Sequence, residues 1–225
     1  MERQVSDTYN QLIDRRFEDI SRVEITAPSG LNSDFYMDLL CVFHEPSKFS
    51  AEDFFQYSIE QVLLYLRQTH QYYLSRSFDE IDLAITSMTR NTPEMAPLQR
   101  SLEEFFSTFK THLIEHIQEE EEHLFPYVDA LAKAKDSGQF VYDLSGKVKL
   151  IDFLLHHSDD MEEELSSLVS KLGHVVEDHA DSFAFRMLVS RLAVLELDLR
   201  IHGRIEEEVL MPLALKLEES VLKAD

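Results

Sequence analysis

The sequence predicts an all-α protein: an antiparallel up-down four-helix bundle preceded by a short helical extension. Three observations predict it. After residue 50, four long segments carry apolar residues at helical spacing. No stretch alternates convincingly with period two, the mark of a half-buried strand. Only five of the 225 residues are Gly, and Leu, Glu, Lys, Gln and Met dominate the longer segments, a helix-forming composition. The chain therefore divides into residues 1–50, the extension, and 51–225, the bundle.

In the extension, a short polar helix is expected over residues 4–18. Pro28, Gly30 and Asn32 then break the chain. A brief apolar segment, Phe35 to Phe43, is closed by Glu45-Pro46, and the small extension is expected to lie on the main body. The first long segment opens at Ser50-Ala-Glu-Asp53, which resembles a capping box with Asp in place of Glu. Its stripe is Val62, Leu66, His70, Leu74, Ile81, Ile85 and Met88. The second opens near Pro97, a residue welcome in a first turn. It continues through Leu102, Phe105, Phe109, Leu113, His116, Glu120 and Leu124 to about Lys135.

The third segment follows the break at Asp136-Ser137-Gly138. It carries Leu150, Leu154, His157, Met161, Leu165, Leu168 and Leu172, and Gly173 is expected to end it. The fourth runs from about Asp181 to Ser220 with Phe185, Leu188, Leu192, Leu195, Leu199, His202, Glu206 and Leu210. Four such rods joined by short polar loops bury their stripes together in a bundle.

Charge narrows the partners. Forty-three Asp and Glu stand against 21 Lys and Arg, a formal net charge of −22. Such a surface repels phosphate backbones and anionic lipid, so neither nucleic acid nor a membrane is an expected partner. The single cysteine, Cys41, cannot form an intrachain disulfide, and within Leu-Cys-Val-Phe it reads as a small buried residue. The N-terminal residues lack the apolar core of a signal peptide, and no run approaches membrane-spanning length. A cytoplasmic location is the expectation.

The chemistry sits on the stripes. His70, His116, His157 and His202, one per long segment, stand where Leu or Met is expected. One such histidine is ordinarily a satisfied core residue. Four buried imidazoles all need partners, and a shared metal supplies them together. A near-repeat strengthens this reading: His116-Ile-Gln-Glu-Glu120-Glu-Glu-His-Leu-Phe-Pro126 matches His202-Gly-Arg-Ile-Glu206-Glu-Glu-Val-Leu-Met-Pro212. Spacing of four places each His and Glu on one helix face. The isolated pairs His156/Asp160 and His174/Asp178 read as solvated coincidences in so acidic a chain. His123 and His112 read as residues outside the site that could assist it, and Tyr73 could reach the pocket but more simply packs.

These motifs resemble the hemerythrin-like, or HHE cation-binding, family over roughly residues 55–220. The resemblance implies two non-haem irons held by His70, His116, His157 and His202, with Glu120 and Glu206 as bridging carboxylates. Imidazole and carboxylate donors suit iron, although zinc and manganese accept the same set. Two departures stand out. Oxygen-carrying members place a second histidine four residues after the first on the third helix, where this chain has Met161. The branch that repairs iron centres carries an N-terminal Cys-Cys motif, where this chain has only Cys41.

The expected function is binding of dioxygen, nitric oxide or a related small molecule at an open iron position, in sensing or stress response, with a protein partner reached through the N-terminal extension. No acid/base pair beyond the ligands is identifiable, which favours binding over an enzyme. Iron-donating repair of damaged iron–sulfur centres and a di-iron oxidase or peroxidase are the alternatives. A ferritin-like oxidase needs two Glu-x-x-His motifs, and only Glu120 to His123 matches. A metal-free bundle explains the rods but not the inward histidines.

Overall fold

The computed structural model describes residues 30–89, 93–137, 150, 160–178 and 182–222. Among them all regular structure is helical, as the sequence predicts. The expected helix over residues 4–18 and the candidate ligand His157 lie outside the described residues. Two compact units are distinguishable. Their described parts are residues 70–89, 93–115, 160–178 and 182–200 in the first, and 30–69, 116–137, 150 and 201–222 in the second.

The second unit begins at Gly30, whose φ of +88° lies in the left-handed region that glycine enters without penalty. Asn32 then caps the helix Ser33–His44, its Oδ1 accepting from the amides of Asp34 and Phe35. Gln61 locks this entry in place: its amide donates to the Gly30 carbonyl and its Oε1 accepts from the Asn32 N–H. Phe35, Tyr36, Leu39, Val42 and Phe43 form the buried face of the helix. Phe35 meets Phe54, Tyr57 and Tyr65 edge-on at centroid distances of 5.6, 5.0 and 6.0 Å. An aromatic ring so fully buried contributes about 1.5–3 kcal/mol. That face leaves Cys41 outside. Cys41 is exposed, contrary to the buried position expected from its apolar neighbours.

Ser50 does not start the first long rod. It precedes a single turn, Ala51–Phe54, and its hydroxyl donates to the Glu52 carboxylate instead of capping backbone amides. The rod proper opens at Ile59 with the helix Ile59–Tyr72. Elsewhere in this unit, helix Phe125–Ser137 packs against Met211–Leu222, and the Tyr127 hydroxyl donates to Glu218. Arg67 ties the first rod to the second through Asp129 at 2.9 Å and Glu121 at 3.4 Å, with its guanidinium over the Phe125 ring.

The first unit holds helices Phe78–Ser87, Ala96–Glu119, Asp160–Asp178 and Phe183–Arg204, the second and last of which end beyond it. Phe78 meets Phe106 edge-on, and Phe106 stacks on Phe109. Phe106, not the neighbouring Phe105, is the fully buried ring. Ion pairs Lys110–Asp82 and Arg191–Glu80 join its helices. Gly173 does not end the third rod. The helix runs through it to Asp178, on an exposed face where a Cβ would meet nothing within 4 Å. Propensity alone marked a stop there, but a glycine weakens a helix by only about 1 kcal/mol.

Among the described residues, three rods depart from regular α geometry. Wide π turns occupy Tyr73–Ser77, Glu120–Leu124 and Ile205–Leu210. In each, an amide reaches back five residues: Phe78 to Tyr73, Phe125 to Glu120, Met211 to Glu206. The extra residue shifts the inward stripe by one position. Leu74, expected on the stripe, is therefore exposed, while Tyr73 and Phe78 are buried.

Candidate metal centre

Each wide turn begins within one turn of a predicted histidine ligand: three residues after His70 and His202, four after His116. Two of the three precede a proline, Pro126 or Pro212. A proline ring clashes with the carbonyl four residues back in an α-helix, and a widened turn relieves that clash. The turn after His70 has no such proline, so proline is not the sole cause. Such π turns are found frequently at functional sites.

In the second unit these turns bring four predicted ligands together. His116 Nε2 lies 2.8 Å from Glu120 Oε1. His202 Nε2 lies 3.7 Å from Glu206 Oε2. Ligand atoms of His116, Glu120 and Glu206 all lie within 4.8 Å of one another, and those of Glu120 and His202 meet the same limit. Both halves of the sequence repeat thus converge on one place. Glu120 is 0% exposed, Glu206 2% and His202 4%. The His116 side chain keeps 26% of its surface in solvent, which gives the group one wet edge.

The electrostatics are demanding. Two carboxylates this close in a dry interior repel one another, and a charge moved from water into such surroundings loses several kcal/mol of solvation. Protons or a cation held among the oxygens offset both effects. The donor set of imidazole nitrogen and carboxylate oxygen fits a divalent transition metal, iron, zinc and manganese included. Donors of the right kind from His116, Glu120, His202 and Glu206 converge in this group.

The other predicted residues fall as follows. His70 is buried, 2% exposed, on helix Ile59–Tyr72, one residue past the division between units. His123 and His112 are exposed, so neither side chain joins the buried group. Tyr73 is fully buried in the first wide turn, beside Tyr72 at 6.3 Å between centroids. His174 is exposed, as expected of a coincidental pair. One neighbour escaped the sequence reading. Tyr65, fully buried, sets its ring 6.4 Å from that of His202. Its place five residues before His70 was the available signal.

No protein-family model matches the chain, and comparison with curated proteins and with solved structures found no match.

Proposed function

We propose that the chain is a non-haem di-iron protein of the hemerythrin-like kind, an antiparallel four-helix bundle that binds dioxygen, nitric oxide or a related small molecule in sensing or stress response. The observation that carries this reading is the convergence of the duplicated motif: His116 with Glu120, and His202 with Glu206, in one buried group. In this reading Glu120 and Glu206 would be the shared carboxylates of the centre, and His116 and His202 would be terminal ligands. His70 and His157 complete the set from the first and third rods. Support for His70 comes from its burial on an inward stripe beside a wide turn like the other two.

Bound iron supplies an open coordination position for a diatomic ligand. The chain's own part is to hold donors in place, exclude bulk water and leave one entrance. Glu120, Glu206 and His202 are dry, and among the described residues of the group His116 alone keeps a solvent-exposed edge. Tyr65 places a buried aromatic ring beside that of His202. Among the described residues the group shows no further titratable pair for acid/base turnover, which favours binding over catalysis.

Absorption spectra of the anaerobically iron-loaded chain, recorded before and after dioxygen or nitric oxide, test the proposal. A new ligand-to-metal band that disappears on removal of the gas supports reversible binding. Steady consumption of peroxide or nitric oxide with turnover overturns it in favour of an oxidase or peroxidase. Transfer of the iron to a damaged iron–sulfur protein overturns it in favour of repair.

A further inference from the structure

The second unit carries a groove that has no part in the metal site. It has a volume of about 600 Å³ and lies among the turn before helix Ile59–Tyr72, the end of Phe125–Ser137 and the face of Met211–Leu222. Its size is that of a pocket for one small molecule. Ile59 and Ala132 are buried at its floor, Leu213 and Leu217 are half-buried on one wall, and Phe55 is 43% exposed at the rim. A large ring left that far in solvent beside an apolar trough is a place where a ligand gains from contact.

Charge selects the class of ligand. The chain has twice as many acids as bases, yet two ammonium groups, Lys135 and Lys216, line this groove against one carboxylate, Glu60. Neither lysine is in an ion pair among the described residues. Among the described residues of this unit, Lys48 is committed to Glu45, Arg67 to Glu121 and Asp129, and Arg204 to Glu208. An apolar trough flanked by uncommitted cations complements a molecule with one anionic head and a hydrocarbon body. A cationic amphiphile meets two like charges there, and an uncharged one leaves the lysines unused.

We propose that this groove binds a single-chain anionic amphiphile of the fatty-acid class, with its carboxylate at Lys135 and Lys216 and its chain along Phe55, Leu213 and Leu217. The inference stands apart from the metal reading and survives or fails without it.

The test is displacement of a dansyl-labelled undecanoic acid from the full chain, with dodecanoate, dodecanol and dodecyltrimethylammonium as competitors at concentrations below micelle formation. Dodecanoate is expected to compete with one-to-one stoichiometry and the other two at least about tenfold more weakly, a difference of about 1.4 kcal/mol. The double variant Lys135→Glu/Lys216→Glu is expected to weaken dodecanoate about tenfold while leaving dodecanol unchanged. Both lysines are exposed, and an unchanged helical circular dichroism spectrum identifies a folded variant. Phe55→Asp provides the second variant and weakens dodecanoate and dodecanol alike. Equal competition by the three head groups, or undiminished dodecanoate binding by the folded double variant, overturns the proposal. So does light scattering that shows a dimer of this chain dissociated by Phe55→Asp, because the groove is then a self-contact.

Discussion

The amide of Phe125 donates to the carbonyl of Glu120, five residues back, and the amide of Met211 does the same to Glu206. The two carboxylates proposed as shared ligands therefore each lie within the first two residues of a widened turn of helix, in a buried place where ordinary α geometry is interrupted. A backbone irregularity repeated with its motif is the pattern found frequently at functional sites.

Glu120 and Glu206 are expected to oppose stability in the metal-free chain. Glu120→Gln keeps the shape of the side chain and removes one of two close buried negative charges. The metal-free variant is expected to melt higher than the parent, by a few degrees, while its affinity for iron falls at least about tenfold. Paired thermal melts and metal titrations of parent and variant check both signs. A variant that melts lower and binds iron as well as the parent contradicts the electrostatic account.

Two glycines should respond in opposite directions to alanine. At Gly173, inside a helix and open to solvent, alanine is expected to add about 0.5–1 kcal/mol. At Gly30, φ is +88° and an added Cβ lies 3.2 Å from Leu64 Cδ2, so alanine is expected to cost about 1–2 kcal/mol. Urea denaturation midpoints of the two variants report the contrast directly.

Tyr57 gives the protein an alkaline edge. Burial, then the hydrogen bond it donates to Asp38, push its phenol well above the ordinary range. The neutral form is thus favoured in the folded state. Its contribution is fully present below the unfolded value of about 10 and is lost as pH rises through the folded one. Tyr57→Phe is expected to cost about 1 kcal/mol at pH 8 and less as the pH passes 10. Denaturation curves at pH 8 and pH 10.5 should show the gap between parent and variant closing; a gap that widens contradicts the assignment.

Cys41 should react in the native state. It is exposed on helix Ser33–His44, so a thiol reagent is expected to label one cysteine per chain without denaturant. Labelling that requires urea contradicts the exposure of that face.

Much of this was legible in the sequence because the relevant signals are local. Spacing of four carried His116 to Glu120 and His202 to Glu206, and helical periodicity carried the rods on which they stand. The errors arose where tertiary structure overrides local preference. Gly173 reads as a stop by propensity, yet a helix tolerates it when the rest of the rod is favourable. Ser50 reads as a cap, yet its hydroxyl goes to Glu52 and the rod starts nine residues later. Leu74 was assigned inward by unbroken α periodicity, and the wide turn at Tyr73 displaced it. No local pattern of residue types announces a π turn, although Pro126 and Pro212 hinted at two of them. Cys41 was judged by its apolar neighbours rather than by its angle around the helix, where Leu39, Val42 and Phe43 occupy the inside.

In the proposed reading, His116, Glu120, His202 and Glu206, with His70 and His157, would hold a coupled pair of irons. Mössbauer spectra with metal analysis of the anaerobically loaded chain test it most directly. The account predicts two irons per chain, magnetically coupled through shared ligands, and loss of that coupled signal in Glu120→Gln/Glu206→Gln. No bound iron after loading, or a lone uncoupled iron kept equally by the double variant, contradicts it.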